Sequence, residues 1–141
     1  MAGPPPWVCA TASARGSSHR ASDAPNQDAV ASFETDDGVA VAVADGHGGE
    51  RYVRSATGSS IAVDVARQMS AELLRSNGDL ARASREMPTR LVAEWRRRVD
   101  AHLTQHPLEP ADAERVGSDP RVAYGATLLL VVCRRDQAVA L

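Results

Sequence analysis

Alternating hydrophobic positions early in the chain predict a β-hairpin. Two apolar segments, residues 28–34 and 39–44, are separated by Thr-Asp-Asp-Gly, which is typical of a tight turn. In the second segment valine alternates with alanine, so one face of the strand is bulky and the other is small. Because both faces are apolar, we expect this strand to be buried on two sides, inside a layered fold.

Two segments with helical spacing follow the hairpin. A helix is predicted over residues 55–76, because apolar residues recur at helical spacing and Asn77-Gly78 supplies a stop. A second helix is predicted to begin near Pro88, since proline is tolerated in a first turn. The apolar positions of the two helices are Ile61, Val65, Met69 and Leu73, and then Leu91, Trp95, Val99 and Leu103. Residues 96–98, all arginine, fall mostly on the opposite face of the second helix, which we expect to be solvated.

The rest of the chain is predicted to contain loops and shorter strands. Residues 7–14 suit a short strand, residues 15–26 favour a loop, and residues 106–120, with their prolines, favour a long surface connection. The apolar run of residues 128–133 predicts a buried central strand. Residues 137–141 are expected to begin its hairpin partner.

Length, charge and cysteine content narrow the class of protein. The 141 residues give room for one compact domain, and a formal net charge of -2 creates no field that would attract nucleic acid or an anionic membrane surface. The longest strongly apolar run, residues 126–133, is too short to span a bilayer, and Cys9 and Cys133 are too few for a disulfide framework. We therefore expect a cytoplasmic domain that has neither nucleic acid nor a membrane as its partner, and the oligomeric state stays open.

Two carboxylates are predicted to meet at the open end of the hairpin. If Asp36 and Asp37 are the turn residues, Asp28 lies directly opposite Asp45; if the turn is shifted by one residue, the two aspartates are offset along the strands. Directly opposed residues have Cα atoms about 4.5 to 5.5 Å apart, so the two anions repel unless one is protonated or a cation lies between them. Carboxylate oxygens suit hard ions such as Mg²⁺ or Mn²⁺. The alternative is that both aspartates are hairpin-end or loop residues with no metal.

The loop that follows Asp45 has a composition that suits a binding site. Its sequence, Gly46-His47-Gly48-Gly49, lets the backbone approach a ligand and turn sharply, and the Gly46 carbonyl is a candidate metal ligand. The loop is not a P-loop, because no Lys-Ser or Lys-Thr follows the glycines. His47 is either a hydrogen-bonding loop residue or a proton donor to a leaving alkoxide. Direct ligation by His47 is less favoured, since hard ions prefer oxygen.

Three short sequence blocks occur in an order typical of one enzyme family. They are Asn26-Gln27-Asp28-Ala29, then Val43-Ala44-Asp45-Gly46-His47-Gly48-Gly49, then Tyr124-Gly125-Ala126-Thr127-Leu128. These blocks resemble the start of the PPM, or type 2C, metal-dependent serine/threonine protein phosphatases. The Ser18-His19-Arg20 opening is most similar to bacterial members. On this basis residues 1–8 are expected to be a disordered N-terminus, and residues 9–141 the N-terminal part of a phosphatase domain.

The resemblance implies a fold and a mechanism. The fold is α+β, a four-layer αββα sandwich that is apparently truncated in this chain, with a binuclear Mn²⁺ or Mg²⁺ site at one end of two packed sheets. By resemblance, Asp45 would bridge both ions, the Gly46 carbonyl would hold one, and Asp28 would coordinate that ion directly or through water. A metal-activated water would attack the phosphorus of a phosphoserine or phosphothreonine in a phosphoprotein substrate. His47 is then the candidate catalytic acid.

An arginine near the first acidic residue is implied to bind the substrate phosphate, for which a planar guanidinium is well suited. Arg20 is the candidate for this role, and Arg15 is the alternative. Gln27 stands where many family members have glutamate.

The aspartates that complete the metal site in the family belong to motifs that this sequence does not contain. Asp112, Asp119 and Asp136 match none of them. Strands that would complete the fold are also missing, so an unpaired sheet edge and exposed apolar surface are expected. Two hypotheses follow: a phosphatase domain whose sequence in this chain is a fragment, or a catalytically incomplete relative that acts as a regulatory or binding module.

Overall fold

One antiparallel sheet and a layer of helices make up the structure. The computed structural model describes residues 7–15, 25–76, 78–135 and 137–141. Within these ranges there are four strands, adjacent in chain order: β1 (Ala29–Thr35), β2 (Gly38–Gly46), β3 (Ala126–Arg134) and β4 (Gln137–Ala140). The helices of the same ranges are α1 (Ser55–Arg75), α2 (Leu80–Gln105) and α3 (Pro110–Val116), and a 3₁₀ turn (Pro120–Tyr124) precedes β3. None of these helices has the length and apolar character needed to cross a membrane.

The predicted hairpin is formed by β1 and β2. Ala29 pairs with Ala44 and Thr35 pairs with Gly38, which leaves residues 36–37 as the turn. The Gly38 N–H donates to the Thr35 hydroxyl at 3.1 Å and so closes the turn. Of the two registers left open by the sequence, the first is therefore confirmed.

The alanine face of β2 packs against the helices. Ala40, Ala42 and Ala44 are buried in a core cluster with side chains of α1 and α2. The core extends across the sheet because β3 aligns Leu130 with Ala42 and Val132 with Ala40. The alternation of alanine and valine along β2 therefore places the alanines on the sheet face that the helices cover.

The other face of β2 corrects a prediction. Burial on two sides was expected, but Val43 is 46% exposed, and its neighbour Leu129 on β3 is 56% exposed. The reason is that α1 and α2 pack on the alanine side of the sheet. β3 is therefore central within the sheet but buried on only one face, and the expected exposed apolar surface lies on this valine face.

The start of α2 also differs from its prediction. Helix α1 agrees with the predicted segment to within one residue, whereas α2 begins at Leu80 and contains Pro88 in its interior. The Asp79 carboxylate accepts hydrogen bonds from the N–H groups of Ala81 at 2.8 Å and Arg82 at 3.3 Å, which makes Asp79 an N-cap. Of the predicted Asn77-Gly78 stop, Asn77 lies outside the described residues, while the Gly78 N–H donates to the Leu73 carbonyl at 3.0 Å just beyond the end of α1.

Burial explains why α2 tolerates a proline. Leu80, Ala83 and Met87 extend its buried face upstream of the proline. An interior proline costs about 3 kcal/mol, while burying one leucine or methionine side chain contributes about 1.5 to 3 kcal/mol and an N-cap about 1 kcal/mol. The sum favours continuing the helix through Pro88.

Two expectations about loops and strands are also wrong. Residues 106–120 are not simply a surface connection, because α3 forms there with Pro110 in its first turn and places Val116 in the core. Residues 7–15 form no strand and are irregular.

A second core cluster lies between α2, α3 and the 3₁₀ turn. It consists of Val99, Val116, Ala123 and Tyr124. The buried Tyr124 hydroxyl accepts a hydrogen bond from Arg54 Nη1 at 2.8 Å and lies 2.7 Å from His102 Nδ1. This cluster fixes the residue that comes directly before Gly125, whose carbonyl accepts a hydrogen bond from the His47 N–H.

We expect His102 to make the stability of the chain depend on pH. Burial, the charge of His106 and the charge of Arg54, in that order, lower the pKa of His102 from its ordinary value of 6.5. The unfolded chain therefore binds the proton more readily than the folded chain, so the stabilisation is complete above pH 6.5 and is lost as the pH falls below it. Urea titrations between pH 7.5 and 5.5 would show a declining free energy of unfolding. The slope due to this proton is at most about 1.4 kcal/mol per pH unit.

The matched variant for this measurement is His102→Asn, whose side-chain oxygen retains an acceptor near Tyr124. Its free energy of unfolding should change less with pH over the same range. An unchanged slope in the variant would assign the pH dependence to other groups.

Candidate functional site

Asp28 and Asp45 share one cavity. Both side chains are exposed at the open end of the hairpin, and both residues line a cavity of about 340 Å³. The irregular segment at residues 12–14 forms another wall of this cavity, and Val43 of the valine face forms part of its base. The two carboxylates therefore lie on the sheet face that the helices leave uncovered.

The register explains why the aspartates are close together. Extending the observed pairing by one residue beyond Ala29 and Ala44 places Asp28 opposite Asp45. The next pair outward is hydrogen-bonded, with Gly46 N–H donating to the Gln27 carbonyl at 3.1 Å. Hydrogen-bonded and non-hydrogen-bonded pairs alternate, so the aspartates form a non-hydrogen-bonded pair, for which the Cα separation is about 4.5 Å.

Gly46 allows the chain to pass closely between two neighbours. A Cβ atom added there would lie 2.6 Å from the Gln27 carbonyl oxygen and 3.0 Å from the Ser55 carbonyl oxygen. Any larger residue would push β2 away from the segment that carries Asp28. Three residues further on, Gly49 has a φ of 108°, a left-handed conformation that favours glycine and turns the chain toward α1.

His47 lies beside the cavity and is not one of the residues that line it. Its N–H donates to the Gly125 carbonyl at 2.9 Å, and its ring meets the Tyr52 ring edge-on at 4.9 Å between centroids. A Cβ atom on Gly125 would lie 2.8 Å from His47 Nδ1, so this glycine makes room for the ring. The structure thus brings Asp28 and Asp45 together, while the catalytic role of His47 stays a prediction.

The choice of the phosphate-binding arginine also stays a prediction. Arg20 lies outside the described residues, and Arg15 is a partly buried residue at the end of the first described range.

The remaining acidic residues do not join the aspartate pair. Asp112 accepts a hydrogen bond from Arg115 within α3, and Asp119 accepts one from the Arg121 N–H at the start of the 3₁₀ turn. Asp136 lies outside the described ranges. Across those ranges, no group of three or more histidine, cysteine, aspartate or glutamate residues is arranged to hold a metal ion. The described donor set is therefore two carboxylates.

The sequence interpretation missed three residues, Gln27, Ser55 and Ser59, that hydrogen-bond to one another next to the aspartate pair. Gln27 Nε2 donates to Ser55 Oγ at 2.7 Å, and the Ser59 hydroxyl donates to the Gln27 carbonyl. Both serines are almost fully buried, at 1% and 0% exposure. A signal was present, because two serines spaced by one helical turn lie on the buried face of α1, and buried hydroxyls need partners.

The sheet, its helical layer and the acidic cavity together define a mixed α+β domain compatible with an α+β phosphatase fold. A family model for protein phosphatase 2C matches residues 15–141. The chain therefore belongs to the protein phosphatase 2C family, as the three sequence blocks indicate, and this membership supports phosphatase activity in general. No match was found among curated proteins, and none among solved structures.

Proposed function

We propose that this chain carries the metal-binding half of a protein serine/threonine phosphatase site that acts on phosphoserine and phosphothreonine in proteins. The observation that carries the proposal is the placement of Asp28 and Asp45 opposite each other on one open cavity. Family membership supports the reaction class and a phosphoprotein as substrate.

The chemistry of the cavity suits a hard divalent cation. Two adjacent carboxylates offer several oxygen donors, and a cation between them relieves their repulsion. Asp28, Asp45 and the Gly46 carbonyl would hold Mn²⁺ or Mg²⁺ there. When bound, such ions lower the pKa of a coordinated water and offset the charge of a phosphate group. The chain itself supplies the carboxylate donors, which are exposed to solvent on the cavity, and the close backbone approach at Gly46.

The proposal extends to the fold. The sheet and its helices are then two layers of a four-layer αββα sandwich. The exposed valine face, with Val43 and Leu129, supports this extension, because a second sheet packed there would remove apolar surface from water.

Calorimetric titration with Mn²⁺ tests the metal site. The wild-type chain should give a saturable heat of binding, and Asp45→Asn should weaken the affinity at least about tenfold, because one of two carboxylates loses its charge. Asp112→Asn is the matched control, since it neutralises an aspartate in α3 away from the cavity. A folded wild-type sample that gives no heat would support the alternative that both aspartates are only structural.

Hydrolysis of p-nitrophenyl phosphate with Mn²⁺ tests the reaction. Turnover that depends on Mn²⁺ and disappears in Asp45→Asn is the expected result. Turnover that survives this substitution would rule out the proposed chemistry.

A second candidate function is a phosphatase-like regulatory or binding module without catalysis. The observation that favours it is the small donor set, since no third acidic, histidine or cysteine ligand joins the pair within the described ranges. Saturable Mn²⁺ binding without any hydrolysis would select this function over the enzyme.

A further inference from the structure

Gln27 is tied to three separate parts of the structure. Its carbonyl accepts hydrogen bonds from the Gly46 N–H at the end of β2 and from the Ser59 hydroxyl in α1. Its side-chain amide donates to Ser55 Oγ at 2.7 Å and makes a longer contact of 3.5 Å with the His47 carbonyl. We call Gln27, Gly46, Ser55 and Ser59 the Gln27 cluster.

The Gln27 cluster is costly to disrupt. The Ser55 side chain is almost fully buried, and its hydroxyl would pay the full cost of its lost hydration without the Gln27 amide, whereas the Ser59 hydroxyl also donates to the Ala56 carbonyl at 3.0 Å. The carbonyl of His47 can only accept hydrogen bonds, so the nitrogen of the Gln27 side-chain amide, and not its oxygen, must face this carbonyl. The amide therefore has one orientation that satisfies both of its contacts.

The position of the cluster relative to the aspartates gives it a role. Gln27 and Gly46 form the hydrogen-bonded pair directly outside the pair of Asp28 and Asp45. Any displacement of residue 27 from residue 46 therefore opens the separation of the two carboxylates. Ser55 and Ser59 belong to α1, a long helix that packs on the sheet. Their hydrogen bonds therefore hold the pair of Gln27 and Gly46 in a fixed position relative to this helix.

We propose that Gln27 is a positioning residue that holds Asp28 and Asp45 at the separation needed to bind a divalent cation. The role in metal binding rests on the proposed function. The way in which Gln27 holds the two aspartates rests on the hydrogen bonds of the Gln27 cluster. Residues that orient metal ligands in this way typically change metal affinity by about 10- to 100-fold when they are removed.

The chemistry of the side chain explains why an amide suits this position. A glutamate at residue 27 could accept a hydrogen bond from the Ser55 hydroxyl, but it has no donor for the His47 carbonyl at neutral pH. It would also place a third negative charge beside Asp28 and Asp45. Gln27 thus contributes directional hydrogen bonds to the site without adding to its charge.

Hydrogen exchange in the metal-free chain tests the mechanism. In Gln27→Ala, the amide of Gly46 should exchange about tenfold faster than in the wild type, while amides in the middle of α1 keep their rates. Gln68→Ala is the matched control, since it removes a hydrogen-bonded glutamine from the exposed side of α1. Unchanged exchange at Gly46 would overturn the proposal whether or not the chain binds metal.

A double-mutant cycle on Mn²⁺ affinity tests the purpose. Gln27→Ala and Ser55→Ala should each weaken binding about tenfold, and the double variant should be little weaker than either single one, because both remove the same hydrogen bond. A residue that only stabilised the fold would lower the urea midpoint and leave the Mn²⁺ affinity of the folded protein unchanged, which would overturn the positioning role. If the wild type binds no Mn²⁺, both the proposed function and the role of Gln27 in positioning metal ligands are wrong. The hydrogen-exchange experiment still decides, independently of metal, whether Gln27 holds residue 46 in place.

Discussion

Replacing Gly58 by alanine is expected to lower the free energy of unfolding by roughly 2 to 4 kcal/mol. A Cβ atom at this position would lie 1.8 Å from the Tyr124 carbonyl oxygen and 2.7 Å from its carbonyl carbon. Both are backbone atoms, so no side-chain rotation relieves the overlap. Alanine gains about 1 kcal/mol over glycine in a helix interior, but this preference is smaller than the cost of moving α1 away from the 3₁₀ turn.

Urea unfolding of the wild type and the variant measures this effect. The matched control is Ser60→Ala, an exposed position two residues further along α1, where the change should stay within about 0.5 kcal/mol. A stabilised Gly58→Ala variant would show that the helix and the 3₁₀ turn are not in contact at this point.

The three sequence blocks that identify the family meet at the start of α1. Ser55 and Ser59 bind the block around Gln27, and Gly58 packs against the carbonyl of Tyr124 in the third block. The glycine-rich second block leads directly into this helix. The N-terminal turns of α1 therefore connect the segment that carries Asp28 to the segment that supports His47.

Local patterns were sufficient to predict the hairpin and the aspartate pair. Alternating valine and alanine, together with a four-residue turn, limited the register to two choices, and either one brought Asp28 and Asp45 to the same end. The spacing of apolar residues in α1 was equally informative, because helix periodicity depends on neighbours within two turns.

Patterns that depend on distant contacts misled the sequence interpretation. Pro88 by itself favours a helix start, whereas the Asp79 cap and the burial of upstream residues place the start of α2 at Leu80. The two-sided burial of β2 was inferred from its composition, yet Val43 is exposed because burial depends on which elements cover a face. The contacts of Gln27 with Ser55 join residues far apart in sequence, and no local spacing predicts them.

Replacing Arg54 by methionine is expected to lower the free energy of unfolding by about 1 to 3 kcal/mol. Arg54 Nη1 donates to the Tyr124 hydroxyl at 2.8 Å and to the His106 carbonyl, and Nη2 donates to the Pro107 carbonyl at 2.8 Å. Methionine retains much of the side-chain volume, so the loss reports mainly the hydrogen bonds. The two carbonyls can be hydrated in the variant, whereas the buried Tyr124 hydroxyl keeps only its contact with His102.

A double-mutant cycle with Tyr124→Phe isolates the bond between the two side chains. Because the phenol is buried and the guanidinium is charged, we expect a coupling free energy of about 0.5 to 2 kcal/mol, with Tyr124→Phe costing less when Arg54 is already methionine. Arg51→Met is the matched control, since Arg51 donates to a single carbonyl, that of Val116, at 3.1 Å. Its effect on urea unfolding should be smaller than that of Arg54→Met. Additive effects of Arg54→Met and Tyr124→Phe would show that the guanidinium stabilises the chain only through the two carbonyls and not through the Tyr124 phenol.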